Sequence, residues 1–210
     1  MKKLNKYIDY TNLKADAKKD DIIRLCKEAK QYKLYSVCIN PNYISLAKKE
    51  LRDTDVKITT VVGFPLGASI SDVKGYETRR AVEKGADEID MVINISAVKN
   101  NDYDLVKKDI ETVKNNALGR KLKIILETCL LEEEEIIKLC DIAKEIKVDF
   151  VKTSTGFSSY GARLEDIRIM KKVLGDDIGI KASGGIKTRA DAELFIKEGA
   201  TRIGTSSLII

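Results

Sequence analysis

Eight short apolar stretches alternate along this chain with amphipathic stretches of helical period, and that alternation limits the fold more than any other feature. The expected strands run from Tyr7 to Thr11, Leu34 to Ile39, Val56 to Val62, Glu88 to Ile93, Lys121 to Leu126, Val148 to Lys152, Ile178 to Lys181 and Arg202 to Thr205. Between them the periodicity predicts a helix over Asp20–Tyr32 with Ile22, Ile23, Cys26 and Ala29 on one face. A second helix has Pro41 in its first turn and reaches Leu51, and a third is capped by Ser71 and stopped by Gly85. Asp102–Ala117, Glu132–Ile146 and Arg163–Leu174 follow, and the last helix opens at Thr188 with Asp191 placed for a capping box. Glu83-Lys84-Gly85-Ala86 and Lys197-Glu198-Gly199-Ala200 echo each other between a helix and a strand, their glycines reading as helix stops. Eight βα units predict a closed (β/α)8 barrel formed as a single domain over residues 1–210. An open doubly wound sheet is the runner-up, but no Gly-x-Gly-x-x-Gly follows the first strand.

Composition narrows the chemistry. With no histidine in 210 residues, Ser-His-Asp and Cys-His catalysis and His-ligated zinc are excluded, so acid–base work falls to Lys, Asp, Glu, Tyr, Cys or water. The net charge of +5 is spread over interleaved acids and bases, which gives no case for a nucleic-acid or membrane partner. Cys26, Cys38, Cys129 and Cys140 lack CxxC spacing and read as reduced thiols of a cytoplasmic protein. No apolar run approaches the length of a membrane span, and Met1-Lys2-Lys3 is not followed by a signal-peptide core.

Two expected strands end alike. Phe150-Val151 runs into Lys152 and then Thr153-Ser154-Thr155-Gly156, and Ile178-Gly179-Ile180 runs into Lys181 and then Ala182-Ser183-Gly184-Gly185. In a barrel these ends are neighbours at the face that carries active sites. Burial and a second positive charge each favour the neutral amine, which is the form that attacks a carbonyl. Gly184-Gly185 after the seventh strand and Gly204-Thr205-Ser206-Ser207 after the eighth stand where barrels commonly bind phosphate. Asp90, inside Ile89-Asp90-Met91-Val92, is either a buried partner for a lysine or a proton-transfer group. Cys38 either lines the pocket or is a packed thiol, and Thr11, Asn40 and Glu127 lie at or just beyond strand ends.

Glu88-Ile89-Asp90-Met91-Val92, Phe150-Val151-Lys152-Thr153-Ser154-Thr155-Gly156-Phe157, Lys181-Ala182-Ser183-Gly184-Gly185-Ile186 and Gly204-Thr205-Ser206-Ser207 together closely resemble the deoxyribose-phosphate aldolases. The resemblance extends to Val37-Cys38-Ile39-Asn40-Pro41 and Thr60-Val61-Val62-Gly63-Phe64-Pro65 and covers nearly the whole chain. It implies a class I aldolase on a (β/α)8 barrel, without metal or cofactor. Its reaction would be the reversible cleavage of 2-deoxy-D-ribose 5-phosphate to D-glyceraldehyde 3-phosphate and acetaldehyde. By resemblance Lys152 is the Schiff-base lysine, Lys181 the lysine that perturbs it, and Asp90 the proton-transfer carboxylate. The phosphate would be held near Gly156, Gly184, Gly185, Lys187, Ser206 and Ser207, with Thr11 and Cys38 as further substrate contacts. A sugar-phosphate-binding barrel with other or no catalytic activity is the alternative. The chain departs from the family's pattern at Tyr10 and Asn12, where His and Leu are expected. No sequence for a helix follows the eighth strand, so either the chain is truncated or a neighbouring subunit, as in a homodimer, covers an apolar patch there.

Overall fold

The computed structural model describes residues 3–208 and 210. Its strands are β1 (Ile8–Asn12), β2 (Ser36–Ile39), β3 (Lys57–Val62), β4 (Glu88–Val92), β5 (Lys121–Ile125), β6 (Phe150–Lys152), β7 (Gly179–Ser183) and β8 (Arg202–Thr205). All pair in parallel and in sequence order, and β1 closes on β8, so the sheet is an eight-stranded barrel. The helices are α1 (Lys19–Gln31), α2 (Ile44–Glu50), α3 (Ser71–Lys84), α4 (Ile95–Lys99), α5 (Tyr103–Asn116), α6 (Glu133–Ile146), α7 (Leu164–Leu174) and α8 (Arg189–Lys197).

Strand pleating separates two interiors. Outward positions such as Ile8, Val37, Ile89, Met91, Leu122, Ile124, Val151 and Ile203 are apolar and pack with Ile22, Ile110, Leu139 and Met170 of the helices into one large core. Inward positions carry Asp9, Ser36, Thr59, Glu88, Asp90, Lys123, Lys152, Lys181 and Arg202, all buried. Bulky branched side chains usually fill a barrel of this type. Here they form the outer core, and Leu13, Cys38 and Val61 make a separate small apolar cluster, with Phe64 against them.

Local rules account for most element ends. Gly85 (φ 112°) and Gly199 (φ 120°) follow α3 and α8 in positive-φ backbone that a Cβ would strain, as their echoing sequences suggested. Thr188 and Asp191 form the expected capping box. Three details differ from expectation. Ile70 is the extended cap residue of α3 and Ser71 its first helical residue, so no side chain caps that end. In α1 the buried face is Ile22, Leu25, Cys26 and Ala29, because Ile23 turns partly to solvent. The short α4 carried no periodic signal; it is held by the Asn94 side chain accepting Ala97 N–H at 3.1 Å.

The described residues after Thr205 form no helix. Leu208 and Ile210 are exposed there, but a longer apolar run, Leu66, Ile70, Val73 and Tyr76, lies exposed on the loop before α3 and on one face of α3.

Lys74, on the inner face of α3, is fully buried and donates to Asp109 Oδ2 of α5 at 2.6 Å and to the carbonyl of Val92 at 2.9 Å. The pair ties α3, α5 and the end of β4 together. Removing one partner strands the other charge, so Lys74→Met is expected to lower unfolding free energy by about 3–5 kcal/mol. Lys74→Met with Asp109→Leu should recover most of that loss in urea titrations; a double variant no more stable than the single one would show that the packing, not the orphaned carboxylate, was at fault.

Candidate active site

Lys152 and Lys181 are direct partners in the β6–β7 register, so both amine-bearing chains enter the barrel at one level. Asp90 lies between them: its Oδ2 accepts Lys181 Nζ at 2.8 Å and Lys152 Nζ at 3.0 Å, while its Oδ1 accepts Lys123 Nζ at 2.8 Å. Gly204 makes the room, since a Cβ there would stand 3.1 Å from Lys181 Cε and 2.9 Å from Ser183 Cβ.

Below this level the network continues. Lys181 also donates to Asp9 Oδ2, and Lys123 contacts Glu88 Oε2 at 2.6 Å. Arg202 Nη1 bridges Asp9 Oδ1 at 2.8 Å and Glu88 Oε2 at 2.9 Å, with its guanidinium carbon 3.5 Å from the Tyr35 ring centroid. Three buried carboxylates, Asp9, Glu88 and Asp90, therefore meet three cations with firm partners, Lys123, Lys181 and Arg202. Lys152 is the fourth cation, and charging it would leave the interior with an excess of one positive charge in a poorly solvated place.

The titration of each group follows from this balance. Burial lowers the Lys152 pKa below the ordinary lysine value and Lys181 adds to that, with Asp90 acting in the opposite sense. For Lys181 burial is outweighed by Asp9 and then Asp90, and its pKa is raised. Burial alone would raise Asp90, but Lys123, Lys181 and Lys152 together hold it far below the usual carboxylate range. Asp9 and Glu88 are lowered in the same way, burial again being overcome by the cations around them.

A cavity of about 480 Å³ opens above Lys152. Thr11, Gly156, Gly184, Gly185, Lys187 and Ser206 of the expected site residues line it, together with Thr155 and Phe157. The backbone N–H groups of Gly156, Gly184, Gly185 and Ser206 have no partner among the described residues, and such unclaimed donors on one wall suit an anion. Thr205 Oγ1 donates to Ile186 O at 2.7 Å and Ser183 Oγ to Ser154 O at 2.6 Å, which ties the loops after β6, β7 and β8 together.

Other expected residues lie elsewhere. Cys38 is fully buried among Leu13, Val61 and Phe64 and does not line the cavity, and burial raises its thiol pKa. Ser207 is also off the cavity wall, its N–H given to Thr205 Oγ1 at 3.0 Å. Asn40 reaches Lys14 O at 3.2 Å, a loop contact. Tyr10 and Asn12, by contrast, do line the cavity; Tyr10 donates to Glu28 Oε2 at 2.7 Å, and burial, then Glu28, pushes its pKa up to about 12. Asp9, Glu88, Lys123 and Arg202 were missed. Asp9 and Lys123 are charged residues inside apolar strands, as Asp90 is, while Glu88 and Arg202 open theirs. Among the described residues no group of three or more Cys, Asp or Glu side chains is arranged to hold a metal ion.

The carboxylate cluster has a consequence for acid stability. Asp9, Glu88 and Asp90 have folded pKa values below their unfolded ones, so their contribution is full above the unfolded carboxylate range near pH 4 and is lost as pH falls below it. Urea midpoints are expected to drop progressively from about pH 5 towards about pH 1, as the pH falls through the folded pKa values. Asp90→Asn, which cannot titrate, should be weaker at pH 7 and decline less steeply; an unaltered slope would contradict this source of acid sensitivity.

Residues 4–204 match the family model described as DeoC/LacD family aldolase. The chain is 56% identical over 207 residues to the deoxyribose-phosphate aldolase of Clostridium novyi (strain NT), covering 98% of this chain and 93% of that one. It is 57% identical over 206 residues to the deoxyribose-phosphate aldolase of Thermococcus gammatolerans, covering 96% and 92%. Among solved structures, the aldolase QR15 superposes with a TM-score of 0.94 at 40% identity over 99% of this chain and 93% of its own. The tetrameric deoxyribose phosphate aldolase of Aeropyrum pernix superposes with a TM-score of 0.87 at 32% identity, covering 97% and 87%.

Proposed function

The chain belongs to the DeoC/LacD family of aldolases, and on that premise we propose that Lys152 is its imine-forming lysine, with Lys181 and Asp90 setting the charge around it. The reaction is the reversible class I cleavage of 2-deoxy-D-ribose 5-phosphate to D-glyceraldehyde 3-phosphate and acetaldehyde. The observation that carries the residue assignment is the pairing of Lys152 and Lys181 on adjacent strands around one carboxylate, beneath a cavity walled by unclaimed backbone donors.

Neutral Lys152 Nζ adds to the C1 aldehyde of the open-chain sugar, and loss of water gives a protonated imine. The C3 hydroxyl then loses its proton as the C2–C3 bond breaks, and the bonding pair passes into the iminium to form an enamine. D-Glyceraldehyde 3-phosphate leaves, C2 is protonated, and hydrolysis frees acetaldehyde and restores the amine. Asp90, ionised at rest between its lysines, takes the C3 hydroxyl proton through a water and passes it on, and it offsets the positive charge that appears on Lys152. The phosphate is held by Gly156, Gly184, Gly185 and Ser206 with Lys187 beside them. Anchoring this end lowers the entropic part of the barrier at the other. Thr11 lies on the same wall, and Cys38 backs the apolar side of the mouth. A cytoplasmic enzyme fits the free state of the four cysteines. That it pairs as a homodimer is part of the same proposal, supported by the exposed apolar face of α3. Among the described residues no helix is long and apolar enough to cross a membrane.

Borohydride trapping with acetaldehyde tests the assignment. A two-carbon adduct is expected on the Lys152 peptide and none in Lys152→Ala; an adduct that persists in the variant would move the chemistry to another lysine. Lys181→Met removes the neighbouring positive charge and leaves Asp90 to Lys152, so the Lys152 pKa should rise. Because the neutral amine exists only above that pKa, the acid limb of activity should move to higher pH, with the rate at pH 7 reduced about ten-fold or more.

A further inference from the structure

Glu127 and Thr128, between β5 and α6, take no part in the chemistry above, yet both are buried and both reach to the loop that follows Lys152. Glu127 has a left-handed backbone (φ 58°, ψ 61°), uncommon for a residue with a Cβ and retained only where its surroundings enforce it. Both of its carboxylate oxygens are committed to one residue: Oε1 accepts Thr155 N–H at 3.1 Å and Oε2 accepts the Thr155 hydroxyl. Thr155 Oγ1 in turn accepts Phe157 N–H at 3.0 Å. Thr128 N–H donates to Thr153 O at 3.0 Å, and its hydroxyl donates to Asp166 Oδ2, in the first turn of α7, at 2.8 Å. The segment from 153 to 163 is thus gripped near both ends.

The grip decides what the loop shows to the cavity. Thr155 and Phe157 N–H are occupied, and Gly156 N–H between them has no partner among the described residues. Glu127 does not line the cavity, and its charge is covered by the Thr155 donors rather than turned toward an incoming anion. An ungripped Thr-Gly-Phe segment would have to be ordered by the ligand itself, at the expense of affinity. We propose that Glu127, with Thr128 as a second hold, is a positioning residue that presets Thr155–Gly156–Phe157 for the phosphate end of the substrate. It acts on recognition of the phosphorylated sugar and leaves the chemistry at Lys152 alone. The inference rests on the phosphate reading given above.

The test compares 2-deoxyribose 5-phosphate with unphosphorylated 2-deoxyribose on the wild type, Glu127→Gln and Thr155→Val. KM for the phosphorylated sugar is expected to rise about ten-fold or more in both variants, the scale of one lost hydrogen bond to a charged group. In Glu127→Gln, whose side chain lies off the cavity wall, kcat and kcat/KM for the unphosphorylated sugar should stay within about two-fold, and inhibition by inorganic phosphate should weaken in parallel with KM in both variants. The double variant should be little worse than either single one, because one interaction is removed in each. Thr155→Val keeps the side-chain shape and gives the answer if Glu127→Gln does not fold. Equal losses on both sugars, or variants that keep the wild-type preference, would overturn this proposal alone. A wild type indifferent to the phosphate would overturn the reading of the cavity and this proposal with it.

Discussion

The interior of this barrel is held by a balance of buried charge, and the state of Lys152 depends on it. Asp9, Glu88 and Asp90 are matched by Lys123, Lys181 and Arg202 through contacts that cross the barrel, several of them at 2.6–2.9 Å. Desolvation makes each of these ions expensive alone, and only the complete set is tolerable. A fourth cation finds no unshared partner: the Asp90 oxygen nearest Lys152 already accepts from Lys181. The neutral amine that attacks a carbonyl is therefore the form of Lys152 that the fold favours. On the proposed assignment the same network would absorb the charge of an imine at Lys152, because Asp90 is ionised beside it.

Such an interior is affordable because the apolar core lies outside the strands. Ile, Val, Leu and Met at outward positions pack against eight helices, which leaves inward positions available for chemistry. The strand register then delivers function: Lys152 stands opposite Lys181, and Asp90 opposite Lys123. Loops beyond the strand ends complete the division, with the lysine pair at the floor and unclaimed N–H groups along one wall. Lys74 and Asp109 fix the end of β4 from outside, two residues beyond Asp90, so even the helical layer bears on the position of the central carboxylate.

Much of this was legible in the chain. Periodicity and helix stops yielded the eight βα units, and two strands ending in lysine before glycine gave the pair that the register brings together. Asp90 stood out as a carboxylate in an apolar strand. Asp9 and Lys123 share that signature, and Glu88 and Arg202 open their strands, but their partners are distant in sequence, with Asp9 and Lys181 172 residues apart, so only closure of the barrel unites them. Cys38 sits at a strand end as expected, yet Leu13 and Phe64, from two other loops, cover it. Glu127 carried no local sign of its left-handed backbone, which is imposed by contacts from the neighbouring strand's loop. Local pattern reports the pleat and the helix face; which charges meet is decided by topology.

Direct titration of Lys152 tests the charge balance most closely. With lysines labelled at Cε and the Lys152 resonance assigned by its absence in Lys152→Ala, the carbon shift can be followed against pH in the enzyme without substrate. The account expects a transition at a pH below that of the surface lysines. A Lys152 that stays an ammonium until the surface lysines titrate would mean that the buried network does not set its charge.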